Sequence, residues 1–302
     1  MYDIVGVGHN CIDRLCIVED YPKEDSSTHI TKIEIQGGGA VATAMVCASR
    51  LGKSTTIIGP IGKDAVSTEI IELLKSDGVD CSNLNTIDSI YGLQSFVMIN
   101  PNNGSRTKFP QRDTLPNIEW NSRNIEVIKN SRILHLDGTN YDNAITAAQI
   151  AHKNGVIVSL DGCSMKDDND KNIKLARMAD ILIMNAKYPL RVTGLSDYDD
   201  ALMEIANWGP KIVICTLGEK GCKAVINNKV ENFPAFKTKA IDTTGAGDVF
   251  HGAFLSAYID EFNLKECIRF ASATAALKCT RIGGRNGIPT KMDVIDFINS
   301  NS

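Results

Sequence analysis

Asp242-Thr243-Thr244-Gly245-Ala246-Gly247-Asp248 runs straight into Val249-Phe250-His251-Gly252-Ala253-Phe254, so a small-residue loop ending in a carboxylate opens an apolar helix. Gly245 and Gly247 can adopt backbone angles closed to other residues and Ala246 adds little bulk, which lets successive N–H groups converge at the positive end of a helix. An anion fits there. A carboxylate at the same place can take a proton from a hydroxyl as that hydroxyl attacks a terminal phosphate. An N-cap aspartate after a glycine turn would account for Asp248 alone. Two glycines, two threonines and two aspartates in seven residues exceed what a cap needs.

Outward from this loop, short apolar runs alternate with helical patterns. The runs are Asp3 to Val7, Thr55 to Gly59, Ile133 to Leu136, Val156 to Leu160, Ile181 to Met184 and Ile212 to Thr216. The helical stretches are Val41 to Leu51, Ser67 to Ser76, Asn143 to Asn154, Tyr198 to Trp208, Val249 to Ile259, Leu264 to Lys278 and Lys291 to Asn299. Buried parallel strands joined by crossover helices have this rhythm, which predicts an α/β fold with a doubly wound sheet and helices on both faces. Two segments, Leu15 to Ile35 and Tyr91 to Phe109, carry β-type and turn residues with little helical periodicity.

At 302 residues the chain can bury a large core without crosslinks. Its nine cysteines are scattered, with no C-x-x-C pair, and read as reduced, mostly buried thiols of a cytoplasmic protein. A net charge of −4 with dispersed Lys and Arg argues against nucleic-acid binding, and no apolar stretch approaches the ~20 residues of a membrane span. The five histidines form no metal spacing. Gly6-Val7-Gly8 lacks the third glycine of a dinucleotide fingerprint, which Cys11 replaces, and neither Gly59-Pro60-Ile61-Gly62-Lys63-Asp64 nor Thr216-Leu217-Gly218-Glu219-Lys220-Gly221 has P-loop spacing. The ligand edge of an open sheet lies at the carboxyl ends of its strands, so Asp137 and Asp161, each just after a predicted strand, are expected there.

The loop from Asp242 to Asp248 resembles the C-terminal signature of the ribokinase-like (pfkB) carbohydrate kinases. Gly37-Gly38-Gly39-Ala40-Val41-Ala42-Thr43-Ala44, running on to Arg50-Leu51-Gly52, resembles the N-terminal signature of the same family, and the ordered set spans almost the whole chain. The resemblance implies one kinase domain over 1–302, a three-layer, mostly parallel sheet, and a discontinuous β lid at about 15–35 and 91–110 that also makes a homodimer. It implies an ATP-dependent phosphotransferase acting on a hydroxyl, typically a hydroxymethyl, of a small carbohydrate. Asp248 becomes the base, the amides of Gly245, Ala246 and Gly247 the anion hole, and Arg106, after the Asn102-Asn103-Gly104 turn, the cation on the transferred charge, with Lys108 and Arg112 as further cations. Asp13, Gly37, Gly38 and Asp137 are assigned to the sugar. Asn185, Thr216, Gly218, Gly221, Thr244 and Asn286 are assigned to the nucleotide. Asp242 and Thr244, with the loop from Arg281 to Gly287, would enclose K⁺.

Two departures stand out. Thr43 replaces an asparagine common in family members, and Tyr188 replaces the glutamate of an Asn-x-x-Glu run that begins here at Asn185. A phenol is a poor ligand for Mg²⁺, so the metal is expected to be held mainly by water and nucleotide phosphates. Ala42-Thr43-Ala44, Leu136-Asp137-Gly138, Leu160-Asp161-Gly162 and Phe250-His251-Gly252 resemble ketose and sulfosugar kinases more than ribokinase proper. A nucleoside kinase of the same fold and a non-catalytic nucleotide or sugar sensor are the alternatives.

Overall fold

The computed structural model describes residues 1–100, 102, 105–111, 115–162 and 168–301; Arg112, Cys163 and most of the turn at 101–104 lie outside the described residues. The strands are β1 (Tyr2–Val7), β2 (Cys11–Val18), β3 (Ile30–Gly38), β4 (Thr55–Ile61), β5 (Leu84–Thr86), β6 (Gln94–Ile99), β7 (Arg106–Pro110), β8 (Ser131–Leu136), β9 (Ile157–Asp161), β10 (Ile181–Asn185), β11 (Ile212–Thr216), β12 (Cys222–Ile226) and β13 (Lys229–Phe233). The helices are α1 (Ala40–Arg50), α2 (Ala65–Ser76), α3 (Ser122–Lys129), α4 (Tyr141–Lys153), α5 (Asn169–Ala176), α6 (Lys187–Thr193), α7 (Tyr198–Ala206), α8 (Ala246–Ile259), α9 (Leu264–Lys278) and α10 (Lys291–Ser300).

Among the described residues, nine strands form one sheet in the order β13-β12-β11-β10-β9-β8-β1-β4-β5. It is parallel from β11 to β5 and antiparallel where β12 and β13 close its other edge. Its interior strands are apolar on both sides because both sides are covered. Ile4, Ile57, Ile133, Ile183 and Ile214 face a core shared with α1, α2, α8, α9 and α10. Val5, Ile58, Leu134, Leu182 and Val213 face a second core under α3 to α7. β1 lies between β4 and β8, so the winding direction reverses there, and the carboxyl ends of β1, β8, β9, β10 and β11 share one edge.

The second sheet, β3-β2-β6-β7, is the lid. It reaches further than the segments at 15–35 and 91–110, because β2 begins at Cys11 and β3 runs to Gly38. Asp13, Gly37 and Gly38 therefore lie on lid strands rather than on turns. Strand register sorts its side chains. Asp13 pairs with Gln36 and Ser95, and Lys108 and Arg106 fall on the same face two and four residues along. Ile35, Phe96 and Phe109 align on the opposite face and are exposed.

α1 and α8 pack closely under the site because Gly252 lets backbones meet: a Cβ there would lie 2.3 Å from the Ala44 carbonyl oxygen. At Gly59 a Cβ would meet nothing within 4 Å. Gly252→Ala should therefore lower stability by about 2 kcal/mol in urea unfolding, whereas Gly59→Ala should change it by less than about 0.5 kcal/mol. Equal effects at the two positions would refute this packing account.

Candidate active site

Gly245 caps α8 in the left-handed region at φ 73°, and a Cβ there would lie 2.9 Å from the Gly284 carbonyl oxygen, so the position needs glycine twice over. The Ala246 N–H turns back to the Thr243 carbonyl at 3.2 Å. Among the described residues, the N–H groups of Gly247 and Asp248 have no acceptor. Of the expected run of amides, those of Gly247 and Asp248 are thus the ones left open, at the positive end of a fourteen-residue helix.

Asp242 holds this loop in place. Its Oδ1 accepts the Thr244 N–H at 2.8 Å and the Arg106 guanidinium, and its Oδ2 accepts the Gly283 N–H at 2.8 Å. Its own carbonyl accepts Lys278 Nζ at 2.9 Å. Burial alone would raise the Asp242 pKa, but the Thr244 and Gly283 N–H groups override it and hold the carboxyl below the usual range. Arg106 also donates to Thr244 Oγ1, so a lid residue already reaches the anion loop.

Asp248 stands in the first turn of α8, half-buried. Burial raises its pKa to about 6, the nearby Asp161 and Asp137 push the same way, and His251 and Lys108 pull it down. His251 Nε2 lies 3.5 Å from Asp161 Oδ1, and its ring packs on His135 at 5.3 Å between centroids. Burial, with His251 adding to it, keeps His135 uncharged by lowering its pKa to about 3. Asp161, at the carboxyl end of β9, belongs to the environment of Asp248.

On one side of the loop lies a cavity of about 420 Å³ lined by Thr216, Gly218, Gly221, Ala246 and Gly247, with Phe236, Phe250, Ala275 and Ala276 supplying apolar walls. Three of the residues assigned to a nucleotide meet there. Thr244 and Asn286 do not line it: Thr244 turns to Arg106, and Asn286 is exposed on the neighbouring loop. Asn185 ends β10 beside Thr216, its partner in register, and its Oδ1 accepts the N–H groups of Lys187 and Tyr188 at the start of α6. Tyr188 is buried in the second core and donates its hydroxyl to the Asn172 carbonyl. It points away from the site, so the loss of the glutamate does not place a phenol among phosphates.

The lid side is organised by Asp13, Lys108 and a residue whose importance the sequence did not reveal. Asp13 is half-buried; burial raises its pKa, and Lys108, Arg285 and His9 oppose that rise. Arg285 is only 3% exposed and donates to the Gly38 carbonyl at 2.7 Å and to Thr43 Oγ1 at 3.3 Å. A Cβ on Gly37 would fall 1.8 Å from the Arg285 guanidinium, and one on Gly38 would fall 2.5 Å from the Asp13 carboxylate. Glycines 37 and 38 thus make room for side chains of this protein, and Thr43 is engaged by Arg285. Asp137, assigned to the sugar, also has a structural task. It is fully buried, and its oxygens accept the N–H groups of His9 at 2.7 Å and Thr139 at 2.9 Å, so it fixes the turn after β1.

The eight described cysteines are free and buried, as expected of reduced thiols. No helix among the described residues is long and apolar enough to cross a membrane.

Comparison with known proteins gives the chain's relatives over almost its whole length. The chain is 27% identical to the ribokinase of Haemophilus influenzae over 293 residues, covering 95% of each. It is equally 27% identical to the nucleoside kinase of Methanothermobacter thermautotrophicus, covering 95% of this chain and 92% of that one. Its fold matches the structure of Arabidopsis thaliana ribokinase complexed with ribose and ATP, with a TM-score of 0.87, 26% identity and 98% of both chains covered. The model of the pfkB family of carbohydrate kinases matches residues 1–291, and the chain belongs to that family.

Proposed function

We propose that this kinase transfers the terminal phosphoryl group of ATP to a hydroxyl, most simply a hydroxymethyl, of a small carbohydrate. The observation that carries the reading is the position of Asp248. It lies in the first turn of the helix whose preceding residues, Ala246 and Gly247, line the nucleotide-sized cavity, and it shares the field of Lys108 with Asp13 on the lid. Asp13 accepts substrate hydroxyls, since its carboxylate takes only the weak Cys11 thiol contact at 4.0 Å among the described residues. Asp248 takes the proton of the attacking hydroxyl, and the Gly247 and Asp248 amides with Arg106 meet the charge that develops on the transferred group. Lid strands β2, β3, β6 and β7 cover the hydroxyl and keep water from competing as acceptor.

Bound ATP supplies the phosphoryl group, and Mg²⁺ neutralises its phosphates. Mg²⁺ would be held mainly through the nucleotide phosphates and water. The Arabidopsis relative solved with ribose and ATP supports the nucleotide, while the matching similarity to a nucleoside kinase keeps nucleosides among the acceptors to test. The protein's place is the cytoplasm, consistent with eight free buried thiols.

The outward lid face supports self-association. Ile33 and Ile35 on β3, Phe96 on β6 and Phe109 on β7 are 40 to 56% exposed on the outward face of the lid, apolar surface suited to a second copy of the chain. Sedimentation should give twice the chain mass of 32.8 kDa for the wild type and a monomer for Phe96→Asp with Ile35→Asp. A monomeric wild type at micromolar concentration would remove the dimer.

The enzymatic reading is tested by ADP release with Mg·ATP across ketoses, aldoses, their acidic and sulfonated derivatives, sugar acids and nucleosides. Asp248→Asn should cost about 10³ in kcat on the accepted substrate, and Arg106→Met about 10² with a smaller change in KM. ATP binding without turnover of any acceptor would instead establish a sensor.

A further inference from the structure

K⁺ does not fit the place that family resemblance gives it here. The Asp242 carboxylate oxygens take the N–H groups of Thr244 and Gly283 and the Arg106 guanidinium, and the Asp242 carbonyl takes Lys278 Nζ. Two of these four donors are cations. The loop that would complete a cage has an acceptor engaged as well: the Arg285 carbonyl takes the Arg50 guanidinium at 2.7 Å and the Ile288 N–H at 3.1 Å.

Lys278 is the last residue of α9 and is 0% exposed. A lysine is almost never fully buried without a partner, because its ammonium loses its water. Here the partner is the main chain of the anion loop. The next residue, Cys279, continues the tie: its carbonyl accepts the N–H groups of Ile241 at 2.8 Å and Asp242 at 3.1 Å. The end of α9 thus grips both the N–H and the carbonyl of Asp242. Burial lowers the Lys278 pKa from the ordinary lysine range, and the Asp242 carboxylate opposes that shift.

We infer that Lys278 is a tethered cation that replaces K⁺, so that this enzyme holds its anion loop without a monovalent ion. The inference rests on the kinase reading above for its activity arm only. Lys278 touches no substrate atom; it is a positioning residue.

The test compares KCl, NaCl and choline chloride at equal ionic strength in two readouts: ADP release on the accepted substrate and thermal melting of the protein alone. Wild-type turnover should agree within about twofold in all three salts, and the melting temperature within about 1 °C. Lys278→Met should lose at least about tenfold in kcat in choline chloride, with KM less affected, while Lys278→Arg keeps most of the activity. Stimulation of the wild type by KCl of about fivefold or more over choline chloride would overturn the inference, as would a folded Lys278→Met that equals the wild type in choline chloride. Should Lys278→Met fail to fold, the wild-type salt series decides. Should no acceptor be turned over, the kinase reading fails, and melting still judges the cation: stabilisation of the wild type by K⁺ alone, by more than about 2 °C, contradicts a tethered replacement.

Discussion

One buried carboxylate organises this molecule. Asp242 binds its own loop through the Thr244 N–H, the loop after α9 through the Gly283 N–H, and the lid through Arg106, while its carbonyl receives Lys278 from the end of α9. These four ties come from segments up to 136 residues apart in sequence. They hold Gly245 in the left-handed region against Gly284, which in turn leaves the Gly247 and Asp248 amides open at the start of α8. The chemistry attributed to Asp248 depends on this bracing, since an anion hole acts by being in place before charge develops.

The second theme is opposition of charges around the base. A carboxylate at a helix N-terminus would ordinarily ionise easily. Burial, Asp161 and Asp137 work against that, and His251 and Lys108 restore part of it, leaving a group that titrates near 6. Such a base is largely ionised at neutral pH and still basic enough to accept a proton during attack. The lid contributes to this balance directly, because Lys108 and Arg106 lie on its inner face with Asp13.

Much of this was legible in the sequence. Both-sided burial makes β1, β4, β8, β9, β10 and β11 continuous apolar runs, and those runs located the sheet to within a residue or two. The glycines of the Asp242 loop announced a special backbone, which Gly245 supplies at φ 73°. The antiparallel edge escaped notice, although β12 and β13 meet at Asn227-Asn228 with φ of 50° and 60°, a two-residue hairpin turn that asparagines favour. α3 and α5 are only eight residues long and mostly polar, too short for a helical period to stand out in sequence, and α6 carries Pro189 in its first turn. Arg285 and Lys278 could not be assigned from spacing. Lys278 has the look of an ordinary cation at a helix C-terminus, and Arg285 meets Thr43 across 242 residues. Asp137 illustrates the converse. The strand-end rule put it at the right edge, where the His9 and Thr139 N–H groups engage its oxygens.

The central claim is that Asp248 is the base and that its environment sets its titration. The most direct measurement is the pH dependence of kcat/KM for the wild type and for Asp161→Asn. The account predicts that wild-type kcat/KM rises with pH through a limb near 6, and that removing the Asp161 charge moves the limb to lower pH while burial keeps it from vanishing. A profile flat from about pH 5 to 8, or a limb that Asp161→Asn leaves in place, would contradict it.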